Sequence, residues 1–297
     1  MANAINPTTN SNSIPYLTIQ EYKDAPTGVD IDNLVFNSID PEAQDKELAN
    51  VISRASSWID TYCNQVLGAT LETETQRTRV SSNGSLIFHP RYSPIVSLNS
   101  LQYGTDPQTL YTLTDPSVCW LENQQVIFPY AMWSSTMTSQ GPVQFGYPGI
   151  TGAITFLKYS YVSGFTNTLL DANNTIGQTS ITVKSSMGII VGQELTIYDG
   201  LYTERVTVSS NWNGTNVIAL TAPLVYAHTA GVSVSALPPS IKEAAILVTT
   251  SFLKVRGDNS LVMGVGTLPS QAAPGNQNIG TELAMAQELL KPYRRIR

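Results

Sequence analysis

The chain is short of the residues that do chemistry. Its 297 residues include two cysteines and two histidines. Cys63 and Cys119 form neither a metal-binding spacing nor a disulfide framework, so both are expected to be small buried hydrophobes in a reducing compartment. His89 and His228 belong to no HExxH, and GxSxG, a phosphate-cradling GxxxxGK and paired cysteines are all missing. No enzymatic activity, catalytic residue, metal site or cofactor is therefore expected. No apolar run approaches the ~20 residues of a membrane-spanning helix. The polar opening MANAINPTTNSNS lacks an h-region, so neither signal-peptide secretion nor membrane anchoring is expected. Charged residues are only 13% of the chain and the formal net charge is -6, which argues against general nucleic-acid binding.

What charge there is changes sign along the chain. Residues 1–70 carry minus 6, residues 71–236 minus 3 and residues 237–297 plus 3. An acidic head and a basic tail suit association with further copies or with an acidic partner. The cations culminate in the last seven residues, Lys291, Pro292, Tyr293, Arg294, Arg295, Ile296 and Arg297. Basic side chains beside Tyr293 and Ile296 can pair with carboxylates or phosphates while the apolar residues fill pockets, so this segment is expected to dock on a partner and to add nothing to the core.

The pattern along the chain runs helix, strands, a β module, then helix. Residues 1–15 have the Asn/Ser/Thr/Pro composition of an arm that cannot bury enough surface to order itself. Thr18-Ile-Gln-Glu21 spells a capping box for a short helix that Pro26 and Gly28 end. Asp40-Pro41-Glu42 starts a second helix, in which Leu48, Val51, Ile52, Ala55, Ile59, Tyr62, Cys63 and Val66 recur at three- and four-residue steps. Beyond Gly68 the period becomes two. Strands are expected through Thr73–Val80, Leu86–Phe88, Pro94–Tyr103, Leu110–Leu113, Val118–Leu121, Gln125–Phe128 and Ile154–Val162. Tyr130, Trp133, Phe145 and Tyr147 in this stretch are expected to pack in core or loops.

Residues 166–236 hold one Lys and one Arg among much Thr, Val, Ile, Asn and Gly, with no helical period. Strands fit Ser180–Lys184, Glu194–Tyr198, Thr203–Ser209, Val217–Leu220 and Val232–Ser235, with turns at Asp199-Gly200 and Asn213-Gly214. That spacing describes a small sandwich or barrel inserted into the outer domain. Its carboxylates Asp171, Glu194, Asp199 and Glu204 fit no calcium-loop spacing and are expected to be solvated turn charges. Pro238-Pro-Ser240 then opens a helix with Ile241, Ala244, Ala245, Val248, Phe252 and Val255 on one face. Gly257–Gly280 is expected to be a long loop, and Thr281–Leu290 the last helix, stopped by Pro292. The fold class is α+β: a helical core with a β-rich element (16–165 and 237–290), an inserted small all-β domain (166–236) and a docking tail (291–297).

Several of these pieces, in order, resemble the bacteriophage head-to-tail connector, or adaptor, proteins. They are Leu17-Thr-Ile-Gln-Glu-Tyr22, a helix ending Trp58-Ile-Asp-Thr-Tyr62, the pair Leu86-Ile-Phe-His-Pro90 and Pro94-Ile-Val-Ser-Leu98, the helix Pro239-Ser-Ile-Lys-Glu-Ala-Ala245, and Leu289-Leu-Lys-Pro-Tyr-Arg-Arg295. The resemblance spans roughly 16–163 and 237–297, and the 166–236 insertion departs from it. It implies a structural virion protein, in a ring of about twelve copies beneath the portal, with a channel through which double-stranded DNA passes without specific binding. Its partners would be the portal protein, copies of itself and the next neck or tail protein, with no membrane. It would reside in the virion neck, and in the host cytoplasm during assembly. The portal-docking residues would be Lys291, Pro292, Tyr293, Arg294, Arg295, Ile296 and Arg297. A carbohydrate-binding, surface-decoration or tail-associated structural protein is the alternative, with sugar contacts expected at Tyr198, Tyr202, Trp212 or Tyr226.

Overall fold

Thr18 and Glu21 cap each other in the computed structural model. The Thr18 amide donates to Glu21 Oε2 at 2.6 Å and the Glu21 amide to Thr18 Oγ1 at 3.2 Å, which starts helix α1 (Ile19–Asp24). The structure describes residues 14–32, 34–35, 40–129, 137–138, 141–142, 152–257 and 274–295. The expectations for residues 1–13, for Tyr130, Trp133, Phe145 and Tyr147, and for Ile296 and Arg297 lie outside these. The chain is α+β, with helices and several antiparallel sheets. Contacts divide the described residues into two units, Ala69–Gly164 in one and the residues before and after it in the other.

The first unit is built on β1 (Thr70–Arg79), β2 (Leu86–Phe88), β3 (Ile95–Asp106), β4 (Thr109–Thr112), β5 (Trp120–Glu122), β6 (Gln125–Phe128), the short β7 (Met137–Thr138) and β8 (Gly141–Pro142), and β9 (Ile154–Ser163). A four-stranded sheet runs β1-β9-β3-β4 and a three-stranded one β2-β6-β5, all antiparallel. The β1/β9 register holds without a break from Thr70↔Ser163 to Arg79↔Ile154. The period-two pattern thus puts Leu157, Tyr159 and Tyr161 on one face, buried with Phe88, Leu101, Val126 and Phe128. Glu74 closes this face: its carboxylate accepts from Tyr161 Oη at 2.6 Å, Tyr159 Oη at 3.0 Å and the Arg91 amide. Burial, reinforced by that carboxylate, holds both phenols well above their usual range. The Val118–Leu121 strand is corrected. Pro116–Val118 is a turn of 3-10 helix capped by Asp115, and β5 begins only at Trp120. The Asp-Pro-Ser sequence, with a side-chain acceptor before the proline, favours that turn over extended backbone.

The second unit holds two cores. Helix α2 (Pro41–Cys63) begins at Asp40, whose carboxylate accepts from the Glu42 amide, with Pro41 where a missing N–H costs nothing. Its Leu48, Val51, Ile52, Ala55, Ile59 and Cys63 are buried against Ile241, Ala244, Ala245 and Val248 of α3 (Pro239–Gly257) and Ala286 and Leu290 of α4 (Pro274–Leu290). Val66, expected in the α2 stripe, lies beyond it, because Asn64 ends the helix in the left-handed region at φ 55. The expected loop Gly257–Gly280 is corrected at its end, because helix α4 starts seven residues early, at Pro274, and the expectation for residues 258–273 lies outside the described residues. Pro274 takes the first helical position, and Pro-Gly-Asn-Gln-Asn-Ile-Gly offers no apolar period from which to read a helix.

The other core belongs to β10 (Asn167–Leu169), β11 (Ser180–Thr182), β12 (Glu194–Tyr198), β13 (Glu204–Thr207), β14 (Val217–Ala219) and β15 (Ser233–Ser235). Four of these form a sheet ordered β10-β15-β12-β13, and β11 pairs with β14. Leu195, Ile197, Ile218 and Val234 are fully buried within them, as is Val208 just after β13. β10 was not expected from the sequence, since three residues ending in one Leu carry no alternation and its partner Ser233–Ser235 is remote.

Candidate functional site

The basic C-terminus is held against its own chain. After α4 a 3-10 turn, Lys291–Tyr293, leads to Arg294 and Arg295 beside the last turn of α2. That turn of α2 contains no cation of its own and ends with carbonyls lacking helical partners. The Arg295 amide donates to the Cys63 carbonyl at 2.9 Å, while Asn64 Nδ2 donates to the Arg295 carbonyl and Gln65 Nε2 to the Tyr293 carbonyl, each at 3.1 Å. The Arg294 guanidinium lies 5.3 Å over the Tyr62 ring, and Tyr62 stacks on Trp58 at 5.4 Å. Cationic residues at a helix C-terminus complement its dipole. Tyr293 packs on the helical core, edge-on to Phe165, with its hydroxyl 3.0 Å from Ser240 Oγ. The expectation that this segment adds nothing to the core is therefore corrected. Lys291, Pro292 and Arg294 are exposed, and Lys291 pairs with Glu288 at 3.5 Å.

Under this end of α2 lies a half-buried acid, Asp60. The Tyr16 hydroxyl donates to Asp60 and accepts from the Leu67 amide at 2.9 Å, which ties residues 16–17 to the α2 exit. Burial raises the Asp60 carboxyl to about 6, against the opposing hydrogen bonds from Tyr16 and Leu67. Cys63 beside it is pushed up to about 12 by burial and by Asp60, with Arg294 opposing. Cys119, in the other unit, is also raised to about 12 by burial. Burial thus disfavours the thiolate form of both.

In the 165–237 stretch, two carboxylates expected to be solvated turn charges meet a histidine. The His228 side chain is wholly buried, with Nδ1 2.8 Å from Asp199 Oδ2 and Nε2 2.7 Å from Glu204 Oε1. Glu204 also accepts from the Val225 and Tyr226 amides at 2.9 and 3.2 Å, and its side chain is only 8% exposed. Both ring nitrogens are taken, so the imidazole has none left to act as a base. The cluster pins the turn after β12 to the loop before β15. Asp171 and Glu194 stay outside it and exposed, Glu194 lying 3.8 Å from Arg205. Among the described residues no group of His, Cys, Asp and Glu is arranged to hold a metal ion. The cluster had no signature in the sequence, because Asp199 and His228 are brought together only by tertiary pairing.

A second hidden polar contact joins the two cores. Lys242 Nζ, on α3, sits 2.6 Å from Glu21 Oε1, 3.2 Å from Ser233 Oγ and 4.4 Å over the Tyr198 ring. Burial lowers the Lys242 ammonium from its usual value, and Glu21 opposes the shift. Compared with protein-family models and with curated proteins, the chain has no match.

Proposed function

We propose that the chain is a structural virion protein, a head-to-tail adaptor that assembles as a ring of copies beneath a portal and extends the DNA channel toward the tail. In this reading the helices and the Ala69–Gly164 sheets are the connector body, a helical core with its β-rich element, and 166–236 is an inserted small all-β domain. The observation that carries it is the C-terminal segment. Main-chain groups and Tyr293 hold it to the body, and the Lys291 and Arg294 side chains, beside Glu288 and over the Tyr62 ring, stay exposed. A basic segment presented this way suits bidentate pairing with a partner's carboxylates. The net charge of -6 suits a conduit, since DNA phosphates sliding past acidic walls are not held by counterion-releasing contacts.

Negative-stain imaging of the chain mixed with portal tests the reading. A coaxial ring on the portal is expected, with the free chain monomeric in sedimentation. Replacing Arg294, Arg295 and Arg297 together by Gln spares the main-chain cap and is expected to abolish ring formation with helical circular dichroism unchanged. The Lys version keeps charge and retains partial binding. A Gln variant that decorates the portal like its parent removes these residues from the docking role, and absence of any ring with the unaltered chain overturns the reading.

A further inference from the structure

Asp199 is shared between the buried histidine cluster and a cleft of about 500 Å³. That volume lies in the range of pockets that enclose small ligands, roughly 300–1,000 Å³. The cleft has an apolar floor that includes Leu17, Ile52 and Leu169, and polar groups around it from Thr18, Gln20, Tyr198, Asp199 and Thr229. Immediately after Asp199 the chain turns through Gly200–Tyr202, and Tyr202 meets Tyr226 with ring centroids 5.6 Å apart and planes at 54°. Tyr202 is 57% exposed and Tyr226 37%. Gly200 lets this turn approach α1: its φ is +53°, and a Cβ there would stand 3.1 Å from Asp24 Oδ2.

We propose that this cleft, together with the Tyr202–Tyr226 pair carried on the turn that follows Asp199, forms a binding site for neutral, hydroxyl-rich oligosaccharides. A pyranose ring has apolar C–H faces and a rim of hydroxyls. The faces stack on exposed aromatic rings, and the hydroxyls donate to carboxylate, amide and hydroxyl oxygens such as those of Asp199, Gln20 and Thr18. Asp24 and Asp199 give the region a negative rim that disfavours anionic polymers. The two loops that carry the tyrosines are fixed to each other through His228, Glu204 and the Val225 and Tyr226 amides, so the platform is organised before any ligand arrives. Of the other aromatics in this stretch, Trp212 is turned inward: its Nε1 donates to the Thr215 carbonyl and its ring packs on the β core. The site is independent of the adaptor reading.

Titration calorimetry of the full chain with maltotetraose, cellotetraose and chitotetraose tests it. At least one is expected to bind with a Kd below about 10 mM. Tyr202→Ala and Tyr226→Ala each weaken that binding ~10-fold, and Tyr202→Trp restores it, since a ring face and not a hydroxyl is required. Leu201→Ser removes an apolar side chain that is 96% exposed without touching an aromatic face, and leaves the affinity within about twofold. Failure of the unaltered chain to bind any of the three sugars overturns the proposal, as does unchanged binding in both alanine variants.

Discussion

Replacing Asp60 by Asn should make the helical unit more stable at neutral pH. In the folded chain the Asp60 carboxyl is raised from 3.8 to about 6, with burial the leading cause. The folded state therefore holds a proton that the unfolded chain has released, and between those two values stability falls as pH rises. Well below pH 3.8 both states are protonated and the group contributes no difference. Above about 6 the full cost is present, and two pKa units correspond to about 3 kcal/mol. Asn keeps an oxygen to accept from the Tyr16 hydroxyl and the Leu67 amide but never ionises. Urea denaturation followed by helical circular dichroism reports on this unit, because the four α-helices among the described residues lie in it. The expected result is a variant more stable than its parent by up to about 3 kcal/mol at pH 7.5, with the gap closing as the pH falls below 3.8. A difference that does not vary with pH, or an Asn variant less stable at pH 7.5, would refute the assignment of Asp60 as a half-buried acid whose ionisation opposes folding.

Removing one partner of the buried Lys242–Glu21 pair leaves an uncompensated group, so Lys242→Met is expected to cost about 3–5 kcal/mol. Adding Glu21→Gln, which keeps an oxygen for the Thr18 amide, should recover part of that loss, and strict additivity in the double-mutant cycle would mean the two do not interact. With both thiols raised to about 12, the thiolate fraction at pH 8 is on the order of 10⁻⁴. Iodoacetamide should modify neither cysteine until the chain unfolds. Labelling of native Cys63 at the rate of a free thiol would contradict its burial under the C-terminal segment. Tyr293→Ala should loosen the helical core by about 1–2 kcal/mol, measured in the same denaturation assay, and a neutral result would mean that main-chain bonds alone hold the segment.

Local chemistry wrote much of the fold into the sequence. Thr18 and Glu21, Asp40 and Pro41, and the apolar steps from Leu48 to Cys63 each place a feature through contacts within one or two helical turns, so they could be read residue by residue. The strands Leu86–Phe88, Gln125–Phe128 and Glu194–Tyr198 were bounded by their own alternation and turns. Helix α4 before Thr281 was not legible, because its glycine, asparagine and proline residues disfavour helix by local preference. The sites depended on tertiary structure altogether. Nothing near His228 in sequence announces Asp199 or Glu204. Nothing near Lys242 announces Glu21, 221 residues away. The basic C-terminus was conspicuous as charge, yet that it caps α2 follows only once Cys63, Asn64 and Gln65 are brought beneath it. Periodicity and capping reflect the energetics of neighbours along the chain. Which buried charges find partners is decided by segments that meet only when the chain has folded.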